Sequence, residues 1–178
     1  MKMKSTSKMI DLDGSTKDSY EGKNSKKAEK FIKPLQSVLA SLYAARLKSQ
    51  VYHWQVHGPN FYGIHKLLEE VYKSLDQSID DTAERIRTLG MHTVSSFSEI
   101  IQLSAPANAS SDKFLSTQEM IADMQEALDR LSEKIRSTAD LAEEAEDIVT
   151  VDMLTRILGT TEKFEWMVRS LRTSPKAE

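Results

Sequence analysis

FYGIHKLLEEVYKSLDQSIDDTAERIRTL, residues 61–89, carries two periodic patterns at once. Ile64, Leu68, Val71, Leu75, Ile79, Thr82 and Ile86 step by threes and fours, the signature of one helix face. At 100° per residue, with Ile64 as origin, that stripe stays within about 60° of zero. His65, Glu69, Asp80 and Glu84 fall at roughly 100, 140, 160 and 200°. They share a second face, and it points away from the stripe that would enter a core.

The same periodicity extends to both sides. Upstream, Phe31, Leu35, Val38, Leu42, Ala45, Ser49 and Tyr52 define a first helix, which Gly58-Pro59-Asn60 ends. Asn60 is placed to cap the next helix, and Gly90 to stop it. Residues 91–115 are mixed, with one short apolar turn near Phe97–Leu103 and then a Pro/Ala/Ser-rich loop. Ser116 and Glu119 have capping-box spacing and open a third helix, striped by Ile121, Met124, Leu128, Leu131, Ile135, Thr138 and Ala142. A fourth runs from about Thr150 through Leu154, Ile157, Thr161, Phe164, Val168 and Leu171. Strand signals are nearly absent. The pattern predicts an all-α four-helix bundle over residues 29–173, with a short extra helix in the long connection between helices two and three.

Composition sets the outer limits. The chain has 178 residues, 29% charged and 39% hydrophobic, with no cysteine and a net charge of −3. Disulfides and thiolate metal sites are therefore excluded. No apolar run approaches the roughly 18 residues of a membrane span, and MKMKSTSKMIDLDG lacks the hydrophobic segment of a secretory signal. These features predict a cytoplasmic protein without a membrane partner. Residues 1–28 carry Lys2, Lys4, Lys8, Lys17, Lys23, Lys26 and Lys27 against Asp11, Asp13, Asp18 and Glu21, a net +3. Poor in large apolar groups, they read as a flexible tail, either merely solvating or touching nucleic-acid phosphates. Residues 174–178 read as a short second tail.

His65/Glu69 and Asp80/Glu84 are each i,i+4 pairs, able to hold one edge of a metal. Glu69 and Asp80, however, stand 11 residues apart, roughly 16 Å along the axis, so one ion cannot bridge the pairs. A second copy of the helix running antiparallel across a two-fold axis would bring each pair onto the other and create two equivalent sites. His53, at the end of the first helix, could fold over the turn to join His65. The residue types leave a metal site and an ordinary solvated polar face both open. His57 and His92 are assigned to no site. Tyr52, Trp54, Phe61 and Tyr62 read as packing, with Trp54 beside His53 also placed to shield a reactive centre.

The combined spacing resembles that of the Dps family, the miniferritins named as DNA-binding proteins from starved cells. The motif stands here as His53-Trp54, Gly58-Pro59-Asn60-Phe61, His65, Glu69, Asp80 and Glu84, closing with AERIRTLG at 83–90. The likeness spans about residues 30–172 and includes VDMLTRILGTTEKFEWMVRS at 151–170. It implies a ferritin-like bundle assembled from two-fold dimers into a hollow dodecamer. It further implies a di-iron ferroxidase site shared between subunits: His53, His65 and Glu69 from one, Asp80 and Glu84 from its mate. The implied activity is oxidation of Fe(II), preferentially by hydrogen peroxide, with ferric mineral stored in the cage and DNA thereby protected. Zinc would compete for the same ligands. Glu69 stands where the family more often has Asp. Acidic three-fold pores near the start of the fourth helix point to Glu146, Asp147 and, foremost, Asp152. The family includes members that bind DNA through a lysine-bearing N-terminal arm, so non-specific DNA association and a nucleoid location are also implied. The alternative is a DNA-compacting nucleoid protein of the same fold with weak or vestigial ferroxidase activity.

Overall fold

The computed structural model describes residues 25–104 and 114–172. Among them the elements are α1 (Ser25–Ala28), α2 (Ile32–Gln55), α3 (Phe61–Thr88), α4 (Phe97–Leu103), α5 (Thr117–Glu144) and α6 (Ile148–Arg169), with no strand. The four long helices pack in a ring: α2 lies against α3 and α5, and α6 closes it by contacting both α5 and α3. The short α4 rests on α2. This is the expected four-helix bundle, with the extra helix in the long connection.

Hydrophobic spacing explains the ring. Every residue of the α2, α3 and α5 stripes named above is buried, as are Leu154, Ile157, Thr161 and Val168 of α6. Phe164 and Leu171 are only half-buried, where α6 reaches the end of the bundle. Isolated helices are marginal in water, so burial of these stripes supplies most of the helical stability. Pro34 lies in the first turn of α2, where no intrahelical bond needs its missing N–H.

The turns follow local chemistry, with one difference from expectation. Gly58, at φ +99°, turns the chain between α2 and α3, and Phe61 N–H then donates to the Gly58 carbonyl at 3.0 Å. Asn60 occupies the N-cap position of α3, yet its side chain makes no capping bond. The backbone already closes the turn. Ser116 and Glu119 do form the reciprocal capping box that opens α5. Gly90, at φ +81°, ends α3, with Met91 N–H returning to the Ile86 carbonyl.

One helical turn lies ahead of residue 29, where the bundle was expected to begin. Ser25–Ala28 forms one helical turn, with Ala28 fully buried and Lys27 Nζ 2.8 Å from Glu146 Oε2. Of the DNA-contact candidates, Lys2, Lys4, Lys8, Lys17 and Lys23 lie outside the described residues. The fourth long helix also starts at Ile148, two residues earlier than expected, because Asp147 caps it by accepting from Thr150 N–H at 3.0 Å.

Asp147 has a second role. Arg85 Nη2 donates to both of its carboxylate oxygens, at 2.7 and 2.8 Å, while Arg85 Nε donates to Thr150 Oγ1 at 2.9 Å. The Asp147 side chain is 3% exposed and that of Arg85 15%. This buried pair ties α3 to the start of α6. Removing one partner strands a charge, which typically costs roughly 3–5 kcal/mol. Asp147→Ala is therefore predicted to lower the unfolding free energy by that amount, followed by far-UV circular dichroism against urea. A change below about 1 kcal/mol would show that the pair and cap do not hold this corner.

Candidate metal centre

α2 ends and α3 begins on the same side of the Gly58 turn, which lays His53 against His65. The two imidazole rings stack with centroids 3.7 Å apart and planes 19° from parallel. Their hydrogen bonds cross: His53 Nδ1 lies 2.8 Å from the His65 carbonyl, and His65 Nδ1 lies 2.8 Å from the His53 carbonyl. A carbonyl oxygen can only accept, so both Nδ1 atoms carry the proton and donate it. Each neutral ring then has its lone pair on Nε2, the form in which imidazole binds metals. Phe61 covers His65 with ring centroids 5.0 Å apart, and Tyr72 meets His53 edge-on at 5.4 Å.

Glu69, one turn along α3 from His65, is half-buried and already engaged. Lys66 Nζ donates to one carboxylate oxygen at 2.7 Å and Lys73 Nζ to the other at 2.6 Å. The hydrogen bond from Lys66, followed by that from Lys73, brings its pKa down to about 2. Glu69 is therefore anionic at any working pH, with both oxygens on ammonium groups. The sequence reading passed over this clamp, although Lys66 and Lys73 stand at the i,i+3 and i,i+4 spacings that predict contact with Glu69.

Asp80 and Glu84 lie further along α3, exposed, with no hydrogen bond or ion pair among the described residues. Between the two groups Arg46 of α2 reaches across to Asp76 at 2.8 Å and lies 5.9 Å from the Tyr72 ring centroid. Among the described residues no three His, Asp or Glu side chains of one chain converge on a common point. The structure thus brings His53 to His65 with Glu69 one turn beyond, and holds Asp80 and Glu84 apart from them. A single chain offers two unfinished edges.

The residues left out of the site are exposed: His57 beside the turn, where its carbonyl accepts from Thr117 Oγ1 at 2.7 Å, and His92 after α3. Trp54 is 65% exposed beside His53, and Tyr43, Leu47, Phe61 and Tyr62 add further uncovered apolar surface on α2 and α3. Of the pore candidates, Asp147 is corrected: its carboxylate is buried and taken by Arg85 and the α6 cap, so it cannot line an opening. Glu146 and Asp152 face solvent, the first beside Lys27 and the second 3.2 Å from Arg156.

Comparison with known proteins places this geometry in context. The ferritin-like domain matches residues 32–176. A low temperature-induced protein of Nostoc sp. is 35% identical over 137 residues, 76% of each chain. The DNA protection during starvation protein of Helicobacter pylori is 30% identical over 144 residues, 81% of this chain and 97% of its own length. Among solved structures, Dps from Thermosynechococcus elongatus superposes with a TM-score of 0.79 at 25% identity, covering 86% of this chain and 96% of its own.

A divalent metal at the His53/His65/Glu69 edge must displace ammonium groups from Glu69. Each exposed pair contributes about 0–1 kcal/mol. Replacing both Lys66 and Lys73 by Ala is therefore predicted to tighten Zn(II) binding several-fold, measured by calorimetry at constant ionic strength. Unchanged affinity would mean that Glu69 is not a ligand.

Proposed function

The chain belongs to the Dps branch of the ferritin-like family, and from that membership we propose that it is a ferroxidase that stores iron. In this reading it oxidises Fe(II), preferentially with hydrogen peroxide, and keeps the ferric product inside a dodecameric cage, which protects DNA. The observation that carries the proposal is the pair of locked imidazoles, both protonated on Nδ1, with the ionised carboxylate of Glu69 one helical turn along α3. Imidazole and carboxylate donors without thiolate suit Fe(II).

Each α3 face completes the other across a two-fold axis. His53, His65 and Glu69 of one subunit would then meet Asp80 and Glu84 of the partner subunit, and the reverse pairing follows by symmetry. Asp80 and Glu84 have no counter-charge among the described residues, which favours taking up a cation once a neighbour covers them. The exposed aromatic and aliphatic surface of α2 and α3 around Trp54 supports that face as the one covered.

Fe(II) is the substrate. Two Fe(II) ions give up one electron each, the O–O bond of one hydrogen peroxide breaks, and two protons complete two water molecules. Pairing the electrons at one site avoids release of a hydroxyl radical. The protein's part is to hold the ions side by side, with fixed imidazole orientation and enough negative charge to favour Fe(III). Glu69, longer by one methylene than the Asp more usual in the family, changes reach and leaves the charge unaltered. Glu146 and Asp152 are the solvent-facing candidates for leading cations inward.

The test is anaerobic loading with Fe(II) followed by peroxide, with ferric absorbance recorded over time. Wild type is expected to oxidise rapidly, and His53→Ala combined with His65→Ala to slow the rate by at least a hundredfold. Equal rates would defeat the assignment.

DNA association through the N-terminal tail is proposed as a weak, salt-sensitive contact. Lys27 is engaged by Glu146, and residues 1–24 hold five lysines against four acids, a net +1 per chain. Even multiplied by twelve copies, that charge supports non-specific phosphate binding only at low ionic strength. Gel retardation at low salt that is lost on deleting residues 1–24 is the expected result. Retardation that survives the deletion places the contact elsewhere.

A further inference from the structure

On a different pair of helices, α2 and α5 enclose a cavity of about 50 Å3, bordered by Ser104 at the end of α4. A cavity needs roughly 10–15 Å3 by this measure to hold one water, so the space fits a group of a few heavy atoms. Lys48 and Arg130 border it together with Lys134, and no carboxylate among the described residues does. Small apolar walls, Ala44 and Ala127 among them, limit what can enter.

Lys134 is the unusual member. Its Nζ lies 2.9 Å from Ser37 Oγ and 2.9 Å from Ser41 Oγ. Neither hydroxyl proton competes, because Ser37 donates to the Leu103 carbonyl and Ser41 to the Ser37 carbonyl, each at 2.8 Å. Two lone pairs therefore orient the ammonium without neutralising it. No carboxylate pairs with Lys134 among the described residues. Burial pushes its pKa below the usual lysine value, which marks the cost of a partly desolvated charge. Lys48 and Arg130, by contrast, are paired with Asp123 and Glu126, neither of which borders the cavity. The group therefore keeps a net positive charge facing a small recess.

We propose that this cavity binds a small tetrahedral oxyanion, inorganic phosphate being the probe of that class, with Lys134 as its principal contact and Arg130 and Lys48 alongside. An anion here supplies the counter-charge that the serines cannot, and charge-assisted bonds to ammonium and guanidinium groups are the strong kind. The recess takes a free ion in preference to a phosphodiester, whose two ester substituents would meet the alanine walls.

The experiment titrates sodium phosphate into metal-free, full-length protein by calorimetry at fixed ionic strength. Saturable binding at one site per chain is expected, weakened at least tenfold by Lys134→Met, which keeps the apolar stem. Lys163→Met, on the exposed face of α6, is expected to bind as wild type does. Arg130→Gln provides a second variant, expected to weaken binding in the same direction if Lys134→Met fails to fold by circular dichroism. Absence of saturable binding in wild type, or undiminished affinity in the folded variants, overturns the proposal. Displacement of bound phosphate by a short DNA duplex at equal phosphate concentration overturns the free-ion assignment and makes the recess a contact for nucleic-acid backbone.

Discussion

Two imidazoles hold the turn from α2 to α3, each giving its Nδ1 proton to the carbonyl of the other's residue. That exchange fixes ring orientation, tautomer and the relative height of the two helices together. One ring alone could rotate; crossed bonds combined with a 3.7 Å stack leave little freedom. The chemistry depends on this because a metal competes poorly for an imidazole whose lone pair must first be uncovered by proton transfer. Here the carbonyls have settled the proton position in advance. Ser49, whose Oγ donates to the Leu68 carbonyl at 2.9 Å, ties the same helices from the core side. Packing and site geometry are thus two faces of one helix pairing.

Much of the fold was legible because burial in a bundle follows a period that sequence displays directly. The stripes of α2, α3 and α5 enter the core residue for residue, since each long helix has one face inward and no competing partner. Legibility failed where order is imposed from a distance. Ser25–Ala28 has no amphipathic pattern, and its turn is seated by Ala28 burying against the bundle. Asp147 looked like one acid among several at a helix start; that Arg85, 62 residues earlier, would reach it is information no local spacing contains. In the candidate site, the candidate donors and the 11-residue gap between the two pairs were legible. The Nδ1 tautomers were not, since they depend on backbone carbonyls brought together only by the turn.

Glu69 shows how two readable facts can be misjudged together. Its position identifies it with the family's carboxylate ligand, and its neighbours Lys66 and Lys73 identify it as a helix-surface ion-pair centre. The free chain shows the second. On the proposed reading, glutamate's extra methylene would allow its carboxylate to swing between ammonium partners along its own helix and a metal beside the imidazoles. Aspartate, one bond shorter, has less reach toward Lys66 and Lys73. The substitution would then couple metal uptake to release of two surface cations, a coupling that weakens with rising salt because exposed pairs are screened first.

An arrangement in which one chain carries the two edges roughly 16 Å apart has a consequence for control. With the edges so placed, a lone chain would not hold two ferrous ions side by side between them. On the proposed reading, oxidation waits for assembly, and assembly also builds the enclosure that receives the product. Iron would then not be oxidised by free subunits, where ferric hydrolysis products would precipitate in the open. The exposed apolar surface on α2 and α3, and Asp80 and Glu84 without a partner among the described residues, are both unfavourable features of an isolated chain. On that reading a two-fold contact would relieve the first by burial and prepare the second for cations, so the association that stabilises the protein would also make it competent.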